Sequence, residues 1–180
     1  MTSLAHVERR PISTLLAARE AWAARQPGPQ TGQMLAMASL LEDHHTHTDF
    51  LALLEDGELA GILTLVRETP LIGWTAAEQQ EPALTITAAI THPDRRGERL
   101  ARLASPWLSN TAARLPGQLA WVRCAVPDDR LAAHLRTTCG WEQVCWIRSP
   151  GLGHTHLLQR RAEPVPRIDR IIATNTELTV

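Results

Sequence analysis

A chain of 180 residues, 44% hydrophobic and 21% charged, is large enough to bury its own core without disulfide or metal staples. Its 18 basic residues, all arginine, stand against 19 acidic ones, which argues against nucleic acid as the main partner, since phosphate backbones call for a net basic surface. The absence of lysine and tyrosine excludes Schiff-base chemistry, a pyridoxal-phosphate anchor, a P-loop lysine and a phenolic general acid.

Cys124, Cys139 and Cys145 form no CxxC pair and are odd in number, so they read as reduced thiols of a reducing compartment. The N-terminus lacks a basic stretch followed by an apolar one, and no apolar run nears the ~20 residues of a membrane span. The expectation is a cytoplasmic protein with no membrane partner.

In chain order, Ser13 as N-cap and Leu15, Leu16, Ala18 and Trp22 at helical spacing predict a first helix, stopped by Gln26-Pro27-Gly28-Pro29. A second helix is expected from Gly32 to Glu42, then a polar break with His44, His45 and His47. Phe50 to Leu54 and Leu59 to Arg67 read as a β-hairpin around Asp56-Gly57. Residues 69–82 read as a loose connection. Alternation from Leu84 to Ile90 predicts a strand, and Glu98 to Arg114 a helix kinked at Pro106. A strand from Leu119 to Val126 and a helix from Asp128 to Cys139, ended by Gly140, come next. Glu142 to Ile147 and His154 to Arg160 make a last pair of strands, and the tail has room for a short strand within Ile168 to Ala173. The order describes one mixed α/β domain over residues 1–162 and a C-terminal tail over 163–180.

The segment richest in chemistry is Ile90-Thr91-His92-Pro93-Asp94-Arg95-Arg96-Gly97-Glu98-Arg99-Leu100-Ala101. A strand ends, Pro93 breaks pairing, and a basic glycine-containing loop enters a helix. A helix start offers unpaired N–H groups and a partial positive charge, which suits phosphate, and Arg95, Arg96 and Arg99 add bidentate donors.

This loop resembles the His-Pro-x-x-Arg-Gly-x-Gly-x-Gly/Ala signature of the GCN5-related N-acetyltransferase (GNAT) family through His92-Pro93-Asp94-Arg95-Arg96-Gly97 and Ala101. Further on, Asp129-Arg130-Leu131-Ala132-Ala133-His134-Leu135-Arg136-Thr137-Thr138-Cys139-Gly140-Trp141 is similar to the family's Asn-x-x-Ala-x-x-Leu-Tyr-x-x-x-Gly-Phe, through Ala132, Leu135, Gly140 and Trp141. The resemblance implies a GNAT-like mixed, mostly antiparallel central sheet flanked by helices. It implies acyl-CoA-dependent N-acyl transfer, most simply from acetyl-CoA to a small-molecule or peptide amine. Backbone amides of Arg96, Gly97, Glu98, Arg99, Leu100 and Ala101 would hold the pyrophosphate, and a V-shaped gap between the strands at 84–91 and 119–126 would receive the pantetheine. A backbone N–H at Ile90 or Thr91 would polarise the thioester carbonyl, and Asp129 would take the place of an asparagine that contacts the pantetheine arm.

The chain departs from the family pattern at Arg99, which replaces a glycine, at Asp129, and at Arg136, which stands where a tyrosine often protonates the departing thiolate. The second reading is therefore a catalytically degenerate GNAT fold that binds acyl-CoA or regulates. The strand 84–91 carries only Thr and Ala on its polar face, which leaves Glu81, just before it, as the candidate base acting through water. Nine acidic residues and one arginine lie between Glu42 and Glu81, against thirteen arginines from Arg95 to Arg170, an arrangement suited to a cationic acceptor and an anionic co-substrate.

His44, His45 and His47 have no spacing that would converge them on a metal, so no metal is expected. Cys124 reads as a buried structural thiol, and His154 and His156 as packing residues on one face of a strand. Ile168, Ile171 and Ile172 offer apolar positions that could pair with a second subunit.

Overall fold

The computed structural model describes residues 2–6, 15–18, 21, 48–56, 58–95, 98–149, 153–168 and 172–174. In chain order the elements are β1 (Thr2–His6), β2 (Thr48–Glu55), β3 (Glu58–Val66), α1 (Ala76–Gln80), β4 (Ala83–Thr91), a 3-10 turn (Pro93–Arg95), α2 (Glu98–Arg114), β5 (Trp121–Val126), α3 (Asp129–Thr138), β6 (Glu142–Ser149), β7 (Gly153–Arg161) and β8 (Ile172–Thr174). The eight strands are ordered β6-β7-β5-β4-β3-β2-β1-β8. The sheet is mixed and mostly antiparallel, with parallel pairing at β4–β5 and β1–β8.

The chain divides into two compact units, Met1–Leu65 with Ala88–Arg96 and Asp169–Val180, and Val66–Thr87 with Gly97–Ile168. In the first, β1 runs antiparallel to β2, from Thr2↔Glu55 to His6↔Leu51, and parallel to β8. Its core gathers Leu15, Ile62, Ala88 and Ile90, with Leu16, Phe50 and Leu59 packed against them. Asp56 takes φ +54 in the turn of the β2–β3 hairpin, the left-handed conformation that an Asp-Gly turn uses. Gly61 is dictated by proximity: a Cβ there would stand 2.8 Å from the carbonyl oxygen of Ile90.

In the second unit, β4 pairs with β5 from Ala83↔Trp121 to Ile86↔Cys124, and β7 runs antiparallel to both β5 and β6. One face of α2 buries Leu100, Ala104, Trp107, Leu108 and Ala112, at the spacing of an amphipathic helix. Pro106 sits inside α2, yet the helix continues to Arg114. Three polar side chains on α2 are also buried, and each has a partner. Ser105 Oγ accepts from Trp141 Nε1 at 2.8 Å; Ser109 Oγ donates to the Arg161 carbonyl at 2.6 Å and accepts from the Glu163 N–H at 3.2 Å; Asn110 Oδ1 accepts from the Val165 N–H at 3.0 Å. α3 is capped by Asp128, whose carboxylate accepts from the Leu131 N–H at 2.7 Å, and is followed by Gly140 at φ +69.

The hairpin, β4, α2, β5, α3 and the β6–β7 pair occur where the sequence puts them, within one to three residues at their ends. Two readings need correction. The connection 69–82 is not loose, because Thr75 and Glu78 form a reciprocal capping box that starts α1. Strand β1 is additional to the expected elements; five N-terminal residues have no periodicity of their own and become a strand by pairing with β2 and β8. In the tail, the expected short strand is β8, Ile172–Thr174, paired with β1, and Ile168 is buried in the second unit. Of the first expected helix, residues 15–18 and 21 are helical; the second, at 32–42, and the histidines at 44, 45 and 47 lie outside the described residues. Among the described residues no helix is long and apolar enough to cross a membrane.

Candidate functional site

The basic loop follows β4 directly. Ile90 is buried in the core of its unit, so only its backbone is available to a ligand, and Thr91 is half-buried. The chain then turns: the His92 N–H donates to the Ala60 carbonyl at 2.8 Å, and the Asp94 N–H donates to His92 Nδ1 at 3.3 Å. These two bonds, with the fixed φ of Pro93, seat the 3-10 turn Pro93–Arg95 at the end of the strand. Arg96 and Gly97 lie outside the described residues, as do the side chains of Arg95, Glu98 and Arg99. α2 opens at Glu98, with Leu100 buried and Ala101 half-buried.

A second polar constellation stands at the start of α3. Asp129, 86% exposed, accepts from or pairs with His156 Nε2 at 2.7 Å, while His156 Nδ1 lies 3.3 Å from Gln143 Oε1. His156 is opposite Val126, the last residue of β5, and opposite Trp146 on β6. The Trp146 ring, largely exposed, packs against His154 with centroids 4.6 Å apart. The carboxylate read as the pantetheine contact is thus already engaged by a histidine, a pairing across 27 residues that no local motif announces. Arg136 is exposed in the last turn of α3, where its charge complements the helix dipole.

The third cluster surrounds Arg123, a fully buried arginine in the middle of β5. Its guanidinium donates to Thr69 Oγ1 at 2.6 Å, to the carbonyl of Glu78 and to the carboxylate of Glu81, and lies over the buried Trp74 ring at 4.6 Å. A charge that deep persists only when paired and hydrogen-bonded, and here four residues of one segment supply the partners. Two polar atoms in this region have none among the described residues: Arg123 Nε and the hydroxyl of Thr85, which is directly opposite Arg123 across the β4–β5 ladder. Such a pair is suited to a bridging buried water.

Glu81 is therefore an ion-pair partner, with 46% of its side chain exposed. Glu81 precedes the first residue of β4, and Thr91 is the last. Arg123 is the residue that sequence reasoning missed here; a lone arginine inside the apolar run Leu119–Val126 was its signal.

The thiols are quiet. Burial pushes Cys124 far up, and Cys145 is raised by partial burial and the nearby Glu78 carboxylate. Cys139 Sγ lies 3.5 Å from His134 Nε2, both buried. Among the described residues no group of three or more His, Cys, Asp and Glu side chains could hold a metal.

No family model and no curated protein matches this sequence. Solved structures do match in fold. An aminoglycoside acetyltransferase, AAC(6')-Ib in complex with coenzyme A, is similar with a TM-score of 0.63 at 13% identity, over 95% of this chain and 98% of that one. A spermidine N-acetyltransferase SpeG chimera from Vibrio cholerae and hSSAT gives 0.61 at 12% identity, over 89% and 95%. An acetyltransferase of the GNAT family from Listeria monocytogenes gives 0.60 at 12% identity, over 89% and 94%. At these identities the likeness establishes a fold.

Proposed function

We propose that this chain, which has the GNAT fold, is a divergent GNAT acyltransferase that moves an acyl group, most simply acetyl, from coenzyme A to a primary amine. The observation that carries the reading is the passage from β4 through the His92-Pro93 turn into α2, at the place where the sequence resembles the family's pyrophosphate loop. Residues 1–162 would form the acyltransferase domain, with 163–180 as its tail.

In this scheme the anionic pyrophosphate lies on the backbone N–H groups of 96–101 at the start of α2, with Arg95, Arg96 and Arg99 supplying positive charge. Backbone of Ile90 and Thr91 orients the pantetheine and thioester, and Asp129 with its partner His156 borders the arm. The amine nitrogen attacks the thioester carbon, the C–N bond forms as the C–S bond breaks, and the nitrogen gives up its proton to water. Holding the two reactants in line supplies much of the acceleration. The thiolate, with an ordinary thiol value near ~8.5, leaves without a phenol to protonate it. Glu81, paired with Arg123, is the candidate base and would act through water.

Calorimetric titration with acetyl-CoA and CoA tests the site. Micromolar binding that is lost in Gly97→Asp and Arg96→Glu is the expected result, and no binding of either compound would overturn the reading. Turnover of acetyl-CoA with an amine panel, followed by thiol release, separates an enzyme from a binding module of the same fold. The departures at Arg99 and Arg136 favour the module: binding without thiol release for any amine would establish it.

A further inference from the structure

His156 joins three elements of the second unit at one ring. It stands on β7, with Val126 of β5 opposite it on one side and Trp146 of β6 on the other. Its Nε2 lies 2.7 Å from Asp129 Oδ1 at the start of α3, and its Nδ1 lies 3.3 Å from Gln143 Oε1 on β6. A carboxylate only accepts, so Nε2 carries a proton and donates it to Asp129. The two partners differ in exposure: the His156 side chain is 17% exposed and that of Asp129 86%. An ion pair or hydrogen bond with one member in water adds little to stability. Its effect is on direction. A ring contacted at both nitrogens and set between strands turns a surface carboxylate, otherwise free to change rotamer, into an oriented one.

The oriented carboxylate still has acceptor sites to offer. Oδ1 takes the proton of His156, and Oδ2 has no partner among the described residues. An acceptor-only group suits an N–H donor, whereas an asparagine at the same position could donate as well. It also repels phosphate, so within an acyl-CoA it must meet the uncharged part that carries amide N–H groups, the pantetheine arm. Asp129, His156 and Gln143 all belong to the second unit, as does α2. We infer that His156 is a positioning residue, acting through Asp129 to aim a carboxylate oxygen at an amide N–H of the pantetheine arm. The inference rests on the acyl-CoA reading and adds to it a residue that lies outside both sequence motifs.

The test is a double-mutant cycle on two ligands. Acetyl-CoA and adenosine bisphosphate, the nucleotide end of coenzyme A without its arm, are titrated by calorimetry into the parent chain, Asp129→Ala, His156→Ala and the double variant. Asp129 is on the surface, so its truncation keeps the fold, and circular dichroism verifies each variant. Asp129→Ala should weaken acetyl-CoA about tenfold, the scale of one charge-assisted hydrogen bond, and leave the bisphosphate unchanged. His156→Ala should do the same, and in the double variant the two losses should not add. His156→Gln, which returns an N–H to Asp129, should recover most of the affinity. Additive losses, an equal loss for the bisphosphate, or acetyl-CoA binding indifferent to Asp129→Ala or to His156→Ala overturns the inference and leaves the acyl-CoA reading standing. No binding of acetyl-CoA to the parent overturns that reading and the inference with it.

Discussion

Arg123→Met tests how the structure is held around the head of β4. The substitution keeps much of the side chain's length and removes its charge and donors. Thr69 Oγ1, in a buried residue, loses the donor 2.6 Å away, at a cost of about 1–3 kcal/mol. The Trp74 ring loses a cation at 4.6 Å, worth about 0.5–2 kcal/mol. The about 3–5 kcal/mol that an orphaned buried charge exacts does not apply, because Glu81 has 46% of its side chain exposed and turns to water. The Glu78 carbonyl, in a half-buried residue, finds water as well. The total is about 1.5–5 kcal/mol. For a chain of this size each kcal/mol moves Tm by about 2–4 °C, so Tm should fall by about 3–20 °C. Urea denaturation gives the free energy, and amide hydrogen exchange should show residues 69–81 losing protection before the strands do. Glu81→Gln keeps an acceptor oxygen but leaves the fully buried guanidinium of Arg123 without its counter-charge, so it should cost more than about 1 kcal/mol. A loss below about 1 kcal/mol in Arg123→Met or in Glu81→Gln would refute the account of Arg123 as the anchor.

Gly73→Ala combines left-handed backbone, about 1–2 kcal/mol for an L-residue, with a Cβ too close to Leu157; a loss above about 2 kcal/mol in chemical denaturation is expected, against only the backbone cost of about 1–2 kcal/mol at Gly117, whose φ is +95 but where a Cβ meets nothing. Thr75→Ala should cost about 1 kcal/mol at neutral pH by removing the capping box. Thr75's backbone and hydroxyl hold Glu78 below its usual carboxylate value, so this contribution is present above the ordinary range and disappears as pH falls through the lowered value; the gap between variant and parent should narrow in acid without closing, because the Glu78 N–H bond to the hydroxyl does not titrate. The raised Cys124 and Cys145 thiols stay protonated in the folded chain while unfolded thiols ionise near ~8.5, so stability should decline as pH rises past that value and remain flat below it. Iodoacetamide should leave Cys124 unmodified in the native chain and alkylate it fully in urea, which mass spectrometry would report.

Elements with a period of their own were legible in the sequence. The alternation of β4, the stripe of α2 and the glycine after α3 mark those elements because each signal is local. The Thr75-x-x-Glu78 capping box was equally local and passed unread, hidden in a segment whose prolines and glycine suggest a loop. β1 lacked any such signal: Thr2–His6 is a strand through partners about fifty residues away in β2 and at the far end of the chain in β8. The candidate site divides in the same way. The loop after β4 could be read because its residues are contiguous, whereas Asp129 with His156 and Arg123 with Thr69, Trp74 and Glu81 are brought together by topology.

The buried hydroxyls and amide of α2 have a consequence for the order in which the chain can be completed. Ser109 and Asn110 find their partners at Arg161, Glu163 and Val165, more than fifty residues downstream. Synthesis at about 5–20 residues per second leaves an interval of roughly 3–11 s in which α2 has been made and its polar groups have nothing to bond but water. During that interval burying the face would strand them, so α2 remains hydrated and the second unit closes only as β7 and the residues after it emerge. Residues 161–165 thus set the clock for α2.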